Sequence, residues 1–211
     1  MLDLNMQLPV RKFFQVMIGT TLLGGGISLN FLGNLGLGPW GAFHDGLSKI
    51  IGISYGTAII LTGIFVTLLW IPLKQKPGIG TIVDVFWTGI VVDYFIKIGS
   101  TPELLLVKIL FIFFGVTLIG AGTAIYVGSN LGSGPRDGVM VGLESLGLKI
   151  GTARNVIEVT ALILGWIMGG TVGFASVFIA LSIGPVVQIV MPYVDLRDKQ
   201  LFIFYHMIFF V

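Results

Sequence analysis

Apolar residues along this chain do not alternate with polar ones; they run in long blocks broken by short stretches of Gly, Pro, Asn and charge. About twenty apolar residues at 1.5 Å rise cross a hydrocarbon core of about 30 Å. That yardstick predicts six helical spans, roughly residues 13–33, 55–73, 79–98, 104–128, 153–170 and 173–193. The ten-residue alternation of a membrane barrel is missing, and backbone groups in lipid must be satisfied within a helix or a closed barrel, so helices are expected. The start, Met1 to Lys12, looks like the charged head of a signal sequence. The apolar run after it is of spanning length and has no small-x-small cleavage site, which makes it a retained first span. Residues 201–211 (LFIFYHMIFFV) would reach only about 16 Å as a helix and are expected at the interface or against the bundle.

Composition sharpens the class. Of 211 residues, 55% are hydrophobic and 10% charged, where soluble domains carry about 25% charge. The net charge of +2 gives no basic stripe for nucleic acid. With no cysteine there is no disulfide, thiolate metal site or thiol nucleophile, and His44 and His206 are far apart in sequence. No cofactor or metal is expected. Lys and Arg concentrate in cytoplasmic loops. Arg11, Lys12, Lys74, Lys76, Arg136, Lys149, Arg154, Arg197 and Lys199 then share one side, with the N-terminus cytoplasmic and Ser100 to Glu103 outside.

The chain is duplicated. A shift of 96 residues lays Gly19-x-Thr21-Leu22-x-Gly24-x-Gly26 on Gly115-x-Thr117-Leu118-x-Gly120-x-Gly122, and Asn34-Leu35-Gly36-x-Gly38-Pro39 on Asn130-Leu131-Gly132-x-Gly134-Pro135. Ten of the 21 positions from 19 to 39 are identical. Beyond a one-residue deletion the offset is 95, pairing Gly56-Thr57 with Gly151-Thr152, Gly78 with Gly173 and Gly89 with Gly184. The reading is one integral membrane domain over 1–211, with repeat one at about 13–98, repeat two at about 109–193 and an apolar tail at 201–211. Three spans per half insert the copies from opposite sides, so the fold expected is all-α: six transmembrane helices as two inverted three-helix repeats. Were 39–52 a further span, the repeats would be parallel, but fourteen residues make only about 21 Å.

Each half carries a Gly-Pro elbow. Pro39 and Pro135 suit the first position of a new helix, and Gly36 and Gly132 can take positive φ. A half-helix at 40–51 or 136–147 would then expose N–H groups and a partial positive charge to an anion, or broken-end carbonyls to a cation. The candidate substrate-binding residues are therefore Asn34, Gly36, Gly38 and Trp40 in the first half, and Asn130, Gly132, Gly134, Arg136 and Asp137 in the second. Arg136 could clamp a carboxylate or phosphate with Asp137 orienting it, and Trp40 could stack on a ring or cation. The plainer alternative has the elbows turning the chain at the surface and Arg136 anchoring the cytoplasmic side against Asp137. His44 suits either an interface or a site.

Ionisable groups within spans are costly, which makes Asp84, Asp93 and Glu158 candidates. Asp93 is expected to face Lys97, and Glu158 to face Arg154 one turn earlier. Asp84 lacks a local base; it suits a coupling group that takes up and releases a proton, or a carboxylate bonded to Thr88. Asp84 and Glu158 are the coupling candidates. Two motifs mislead. Gly36-x-Gly38-x-x-Gly41 matches a dinucleotide pattern without the strand it requires. Gly52-Ile53-Ser54-Tyr55-Gly56 matches a nucleophile elbow near His44 and Asp45 without an α/β sheet, so Ser54 reads as a helix-start residue. The Gly24-Gly25-Gly26 run with Thr20, Thr21 and Ser28 reads as helix packing.

The two NLGxGP elbows, the PGIGT start at Pro77 to Thr81 and the GSGPRDG stretch from Gly132 to Gly138 resemble the YczE/YyaS/YitT group of prokaryotic multi-pass membrane proteins, YczE-like members above all. The resemblance covers 13–193 and implies a bacterial cytoplasmic membrane location, with no established substrate. Gly41 stands after Trp40 where such proteins often carry an acidic residue, whereas Asp137 fills that place in the second half. The expected function is a small secondary carrier or permease for a small molecule, an anion or an organic solute. Membrane lipid and a homo-oligomer are the other expected partners. The alternative is a non-transporting membrane scaffold or assembly protein. An enzyme is not expected, and would require Ser54, His44 and Asp45 to converge.

Overall fold

The computed structural model describes residues 4–196. Arg197, Lys199, His206 and the apolar segment 201–211 lie outside the described residues. Eight helices follow in order: α1 (Leu4–Gly33), α2 (Pro39–Ile51), α3 (Tyr55–Leu68), α4 (Ile79–Ile98), α5 (Leu105–Gly128), α6 (Pro135–Ser145), α7 (Ile150–Ile167) and α8 (Phe174–Val194). Five of them, α1 from Val10 together with α4, α5, α7 and α8, are long and apolar enough to cross a membrane. Large apolar side chains such as Phe174, Leu104 and Ile167 stand exposed, as a lipid solvent permits.

The sixth expected span is shorter than its apolar run. α3 ends at Leu68 instead of continuing to 73, and at 14 residues reaches only about 21 Å. It qualifies as a span only jointly with α2, from which it bends by 109°. Pro72 explains the stop, because proline disfavours helical backbone at the residue before it and has no N–H to donate. Residues 69–74 turn instead, with Trp70 N–H bonded to the Thr67 carbonyl and Lys74 N–H to that of Ile71.

The glycine patterns set the packing. Gly19 abuts Gly122 and Tyr126, and Gly26 abuts Gly115 and Ile119, so α1 and α5 run antiparallel at close range. A Cβ at Gly26 would lie 2.5 Å from the Gly115 carbonyl oxygen, which only a missing side chain permits. Gly24 meets Val91 of α4, and Gly120 meets Val186 of α8, positions related by the sequence offset. Both α1–α4 and α5–α8 are parallel pairs, since Thr21 meets Trp87, Leu32 meets Gly99 and Gly128 meets Val194.

The two elbows dock reciprocally. Gly38 and Gly134 are the N-caps of α2 and α6, with Pro39 and Pro135 in the first turn. Asn34 (φ 50) and Gly36 (φ 117) turn the first elbow, Asn130 (φ 58) and Gly132 (φ 141) the second. The first turn rests on the start of α8, where Ala175 N–H donates to the Leu35 carbonyl at 3.1 Å. The second rests on the start of α4, where Gly80 N–H donates to the Leu131 carbonyl at 2.9 Å. Gly78 N–H bonds Thr81 Oγ1 and Gly173 N–H bonds Ser176 Oγ, the same cap at positions 95 apart. The turns thus sit at opposite ends of the bundle, each on a helix from the other half.

One pairing breaks the correspondence. α3 lies tightly along α4: a Cβ on Gly89 would fall 2.5 Å from Ile60 Cγ1 and 2.6 Å from the Gly56 carbonyl oxygen. α7, its counterpart, packs on α2 and α6 and makes no extended contact with α8. Gly184, the counterpart of Gly89, has nothing within 4 Å of its Cβ position.

Candidate functional site

The space between the halves is a cavity of about 530 Å³. Along α3 its wall includes Tyr55, Ile59, Thr62 and Val66, one residue per turn over about 16 Å. It therefore runs from the first elbow, through Gly38, Trp40 and His44, to the second, through Gly134 and Arg136. Arg154, Asn155 and Glu158 of α7 line it on one side and Ala180, Leu181, Ile183, Gly184 and Pro185 of α8 on the other, so the gap between those helices opens into it.

Of the sequence candidates, Gly38, Trp40, Gly134, Arg136, Asp84 and Glu158 lie on this wall. Asn34, Gly36, Asn130 and Gly132 instead form the turns, where positive φ and contact with the opposite helix start require them. Asp137 is not on the wall; its Oδ2 accepts from Gly134 N–H at 3.3 Å and caps α6, while Oδ1 lies 4.0 Å from Arg136 Nε.

The fold adds partners from other helices to those expected from four-residue spacing. Glu158 Oε1 lies 3.7 Å from Arg136 Nη1, a partner from a different helix. Asp93, expected to face Lys97, turns to the start of α3, where it accepts from Gly56 N–H at 2.7 Å and from the Ser54 hydroxyl. Ser54 is the N-cap of α3, its oxygen accepting from Thr57 N–H at 3.1 Å, as a helix-start residue should. Asp45 Oδ2 accepts from Lys49 Nζ, Thr171 N–H and Thr171 Oγ1, each at 2.7 Å. Ser54 and Asp45 thus serve different partners, and only His44 of that trio lines the cavity. Asp84 is buried and accepts from the Thr88 hydroxyl at 2.9 Å.

The sequence reading missed the polar middle of the wall. Asn30 Oδ1, Trp40 Nε1, Thr62 Oγ1 and Thr123 Oγ1 are buried without a hydrogen-bond partner among the described residues, and all four residues line the cavity. Buried polar groups are nearly always paired, so four unpaired ones around one space mark a place where water or solute completes them. A lone Asn or Thr in an apolar run was the available signal; a threonine usually satisfies itself on its own helix, as Thr20 and Thr67 do here. Trp70 was also missed: its Nε1 donates to the Pro135 carbonyl at 2.7 Å and its ring covers Gly138, pinning α6 to the end of α3.

Comparison with known proteins places the chain. Residues 10–192 match the model of a family of unknown function, DUF6198. A protein of Haemophilus influenzae named only as uncharacterized is 35% identical over 174 residues, covering 82% of this chain and 80% of its own. The uncharacterized membrane protein YczE of Bacillus subtilis is 33% identical over 177 residues, covering 82% of each chain, and YyaS of the same organism is 29% identical over 189 residues. No solved structure matches the chain. With apolar helices of spanning length and a family model that takes in nearly all of them, this multi-pass membrane protein belongs to the DUF6198 family.

Proposed function

We propose that the protein is a small secondary carrier of the bacterial cytoplasmic membrane, built as two inverted three-helix repeats that rock about the cavity between them. The antiparallel contact of α1 with α5 and the exchanged docking of the two elbows support inversion, because a twofold axis in the membrane plane relates such pairs. A cytoplasmic N-terminus puts nine of the twelve Lys and Arg residues on the inner side.

The observation that carries the reading is the unequal closure of corresponding helices around one polar-walled space. Gly56 and Gly89 let α3 and α4 meet, whereas Gly184 faces open space. Exchanging these two states, so that α7 closes on α8 while α3 parts from α4, would open the cavity to the other side. Asp84 is the candidate that couples this exchange to protons, and Glu158, tied to Arg136, the one that couples α6 to α7. A scaffold would need its helix faces joined in a dry bundle, and the unpaired polar atoms weigh against that.

The test uses the absence of cysteine. A single cysteine replacing Thr62, labelled with a small impermeant thiosulfonate, should react from the outer face in right-side-out vesicles and from the inner face in inverted ones. Reaction from neither face would favour the scaffold; reaction from one face only would refute alternating access.

A further inference from the structure

We infer that the cavity takes an organic monocation, a protonated amine on an apolar or aromatic body, with the ammonium at Asp84. This deepens the carrier reading and rests on it for movement across the membrane, though not for binding.

Charge comes first. At the second elbow two guanidiniums, Arg136 and Arg154, interact with three carboxylates, Asp84, Asp137 and Glu158. With all five groups ionised, one negative charge is left over. Arg136 has Glu158 at 3.7 Å and Asp137 at 4.0 Å, so neighbouring carboxylates offset its charge and weaken its pull on an anion. Asp84 has no ion pair within 4 Å among the described residues; it accepts from the neutral Thr88 hydroxyl. An unbalanced carboxylate on the wall of a membrane-embedded cavity favours a cation strongly, since the low dielectric amplifies the field of a lone charge.

Hydrogen-bond capacity points the same way. Two of the four unpaired atoms, Thr62 Oγ1 and Thr123 Oγ1, can accept near Asp84, and an ammonium has only donors to give. Gly63 abuts Val85, which puts Thr62 within about a turn of Asp84 in height. Gly122 abuts Gly19 while Thr21 meets Trp87, which brings Thr123 to the same level. Thr62 and Thr123 are at most 5% exposed, and both line the cavity.

The remainder of the wall fits the body of such a solute. Leu23, Ile27, Ile59 and Ile119 continue from Asp84 toward Trp40 and Tyr55 at the first elbow. A volume of about 530 Å³ is far more than a bare ion needs and within the range of organic-ligand pockets. Apolar walls, aromatic rings and one carboxylate are the ingredients of organic-cation recognition.

Two probes with the same ring and opposite charge test this: tryptamine and indole-3-propionate, measured by equilibrium dialysis against the purified full-length chain in detergent. Saturable tryptamine binding is expected, with no comparable binding of the acid. Asp84→Asn, whose amide oxygen can still accept from Thr88, should weaken tryptamine at least tenfold, and Thr62→Val several-fold. Absence of amine binding, preference for the acid, or unchanged amine affinity in both variants overturns the inference. Proteoliposome uptake separates the two readings. Asp84-dependent binding without uptake removes the carrier and leaves the site, whereas uptake of the acid alone removes this site and leaves the carrier.

Discussion

The gap between α7 and α8 can be tested as a gate by replacing Asn155 and Gly184 with cysteine in the otherwise cysteine-free chain. The magnitude comes from the first half. There the Cβ position of Gly89 lies 2.5 Å from Ile60 Cγ1, so with one C–C bond of about 1.5 Å added, the two Cβ positions are at most about 4 Å apart. A disulfide needs Cβ atoms about 3.5–4.5 Å apart. Asn155 and Gly184 correspond to Ile60 and Gly89, yet no atom comes within 4 Å of the Gly184 Cβ position in the open arrangement. The pair is farther apart than the close-packed Ile60–Gly89 pair and should bridge readily once α7 closes as α3 does. Minor conformers populated at about 0.1–10% suffice, because oxidation accumulates the trapped form. The assay is thiol counting by intact-mass measurement after mild oxidation, with Ile60→Cys/Gly89→Cys as the positive control. The control should form its bridge at once and the Asn155/Gly184 pair more slowly. A control that is complete while the Asn155/Gly184 thiols stay free indefinitely would refute closure of α7 on α8.

Three further outcomes are expected. Gly89→Ala drives a methyl into Ile60 and the Gly56 carbonyl and should cost about 1–3 kcal/mol in thermal unfolding in detergent, while Gly184→Ala should be neutral or gain up to about 1 kcal/mol from helix propensity. Equal losses would mean that α8 is packed where the structure shows it open. Trp70→Phe removes the bond to the Pro135 carbonyl and should cost about 1–3 kcal/mol by the same measurement, with α6 becoming more protease-sensitive; an unaltered melting curve would show that α6 is held by other contacts. Asp84→Asn should abolish any dependence of solute flux on a pH gradient in proteoliposomes, and persistence of that dependence would move the coupling role away from Asp84.

Much of this architecture is written locally. Gly36 and Pro39 announce a chain reversal and a helix start whatever surrounds them, and the corresponding Gly132 and Pro135 do the same, so both elbows were legible from sequence. Pro72 was equally visible, but an apolar run carried the predicted span past it. Charge pairing was legible only within a helix. Four-residue spacing offered Lys97 to Asp93 and Arg154 to Glu158; Asp93 is instead reached by Ser54 and Gly56, while Glu158 interacts with Arg154 and gains Arg136 from another helix. The unequal closure of α3–α4 and α7–α8 was least legible, because Gly56 and Gly89 have identical counterparts at Gly151 and Gly184. What differs is the replacement of Ile59, Ile60 and Gly63 by Arg154, Asn155 and Glu158, which puts polar bulk on the α7 face that corresponds to the close-packed face of α3.

The exchanged seating of the elbows bears on how such a chain could have arisen. Leu35 offers its carbonyl to the amide of Ala175, and Leu131 offers its own to Gly80, so neither half completes its hinge unaided. A solitary ancestral half would carry an orphaned acceptor and a bare helix tip, yet two identical copies threaded into the bilayer in opposing directions would each supply what the other lacks. Gene fusion would then have joined an existing pair, freeing one copy to acquire the arginine and the other the tryptophan.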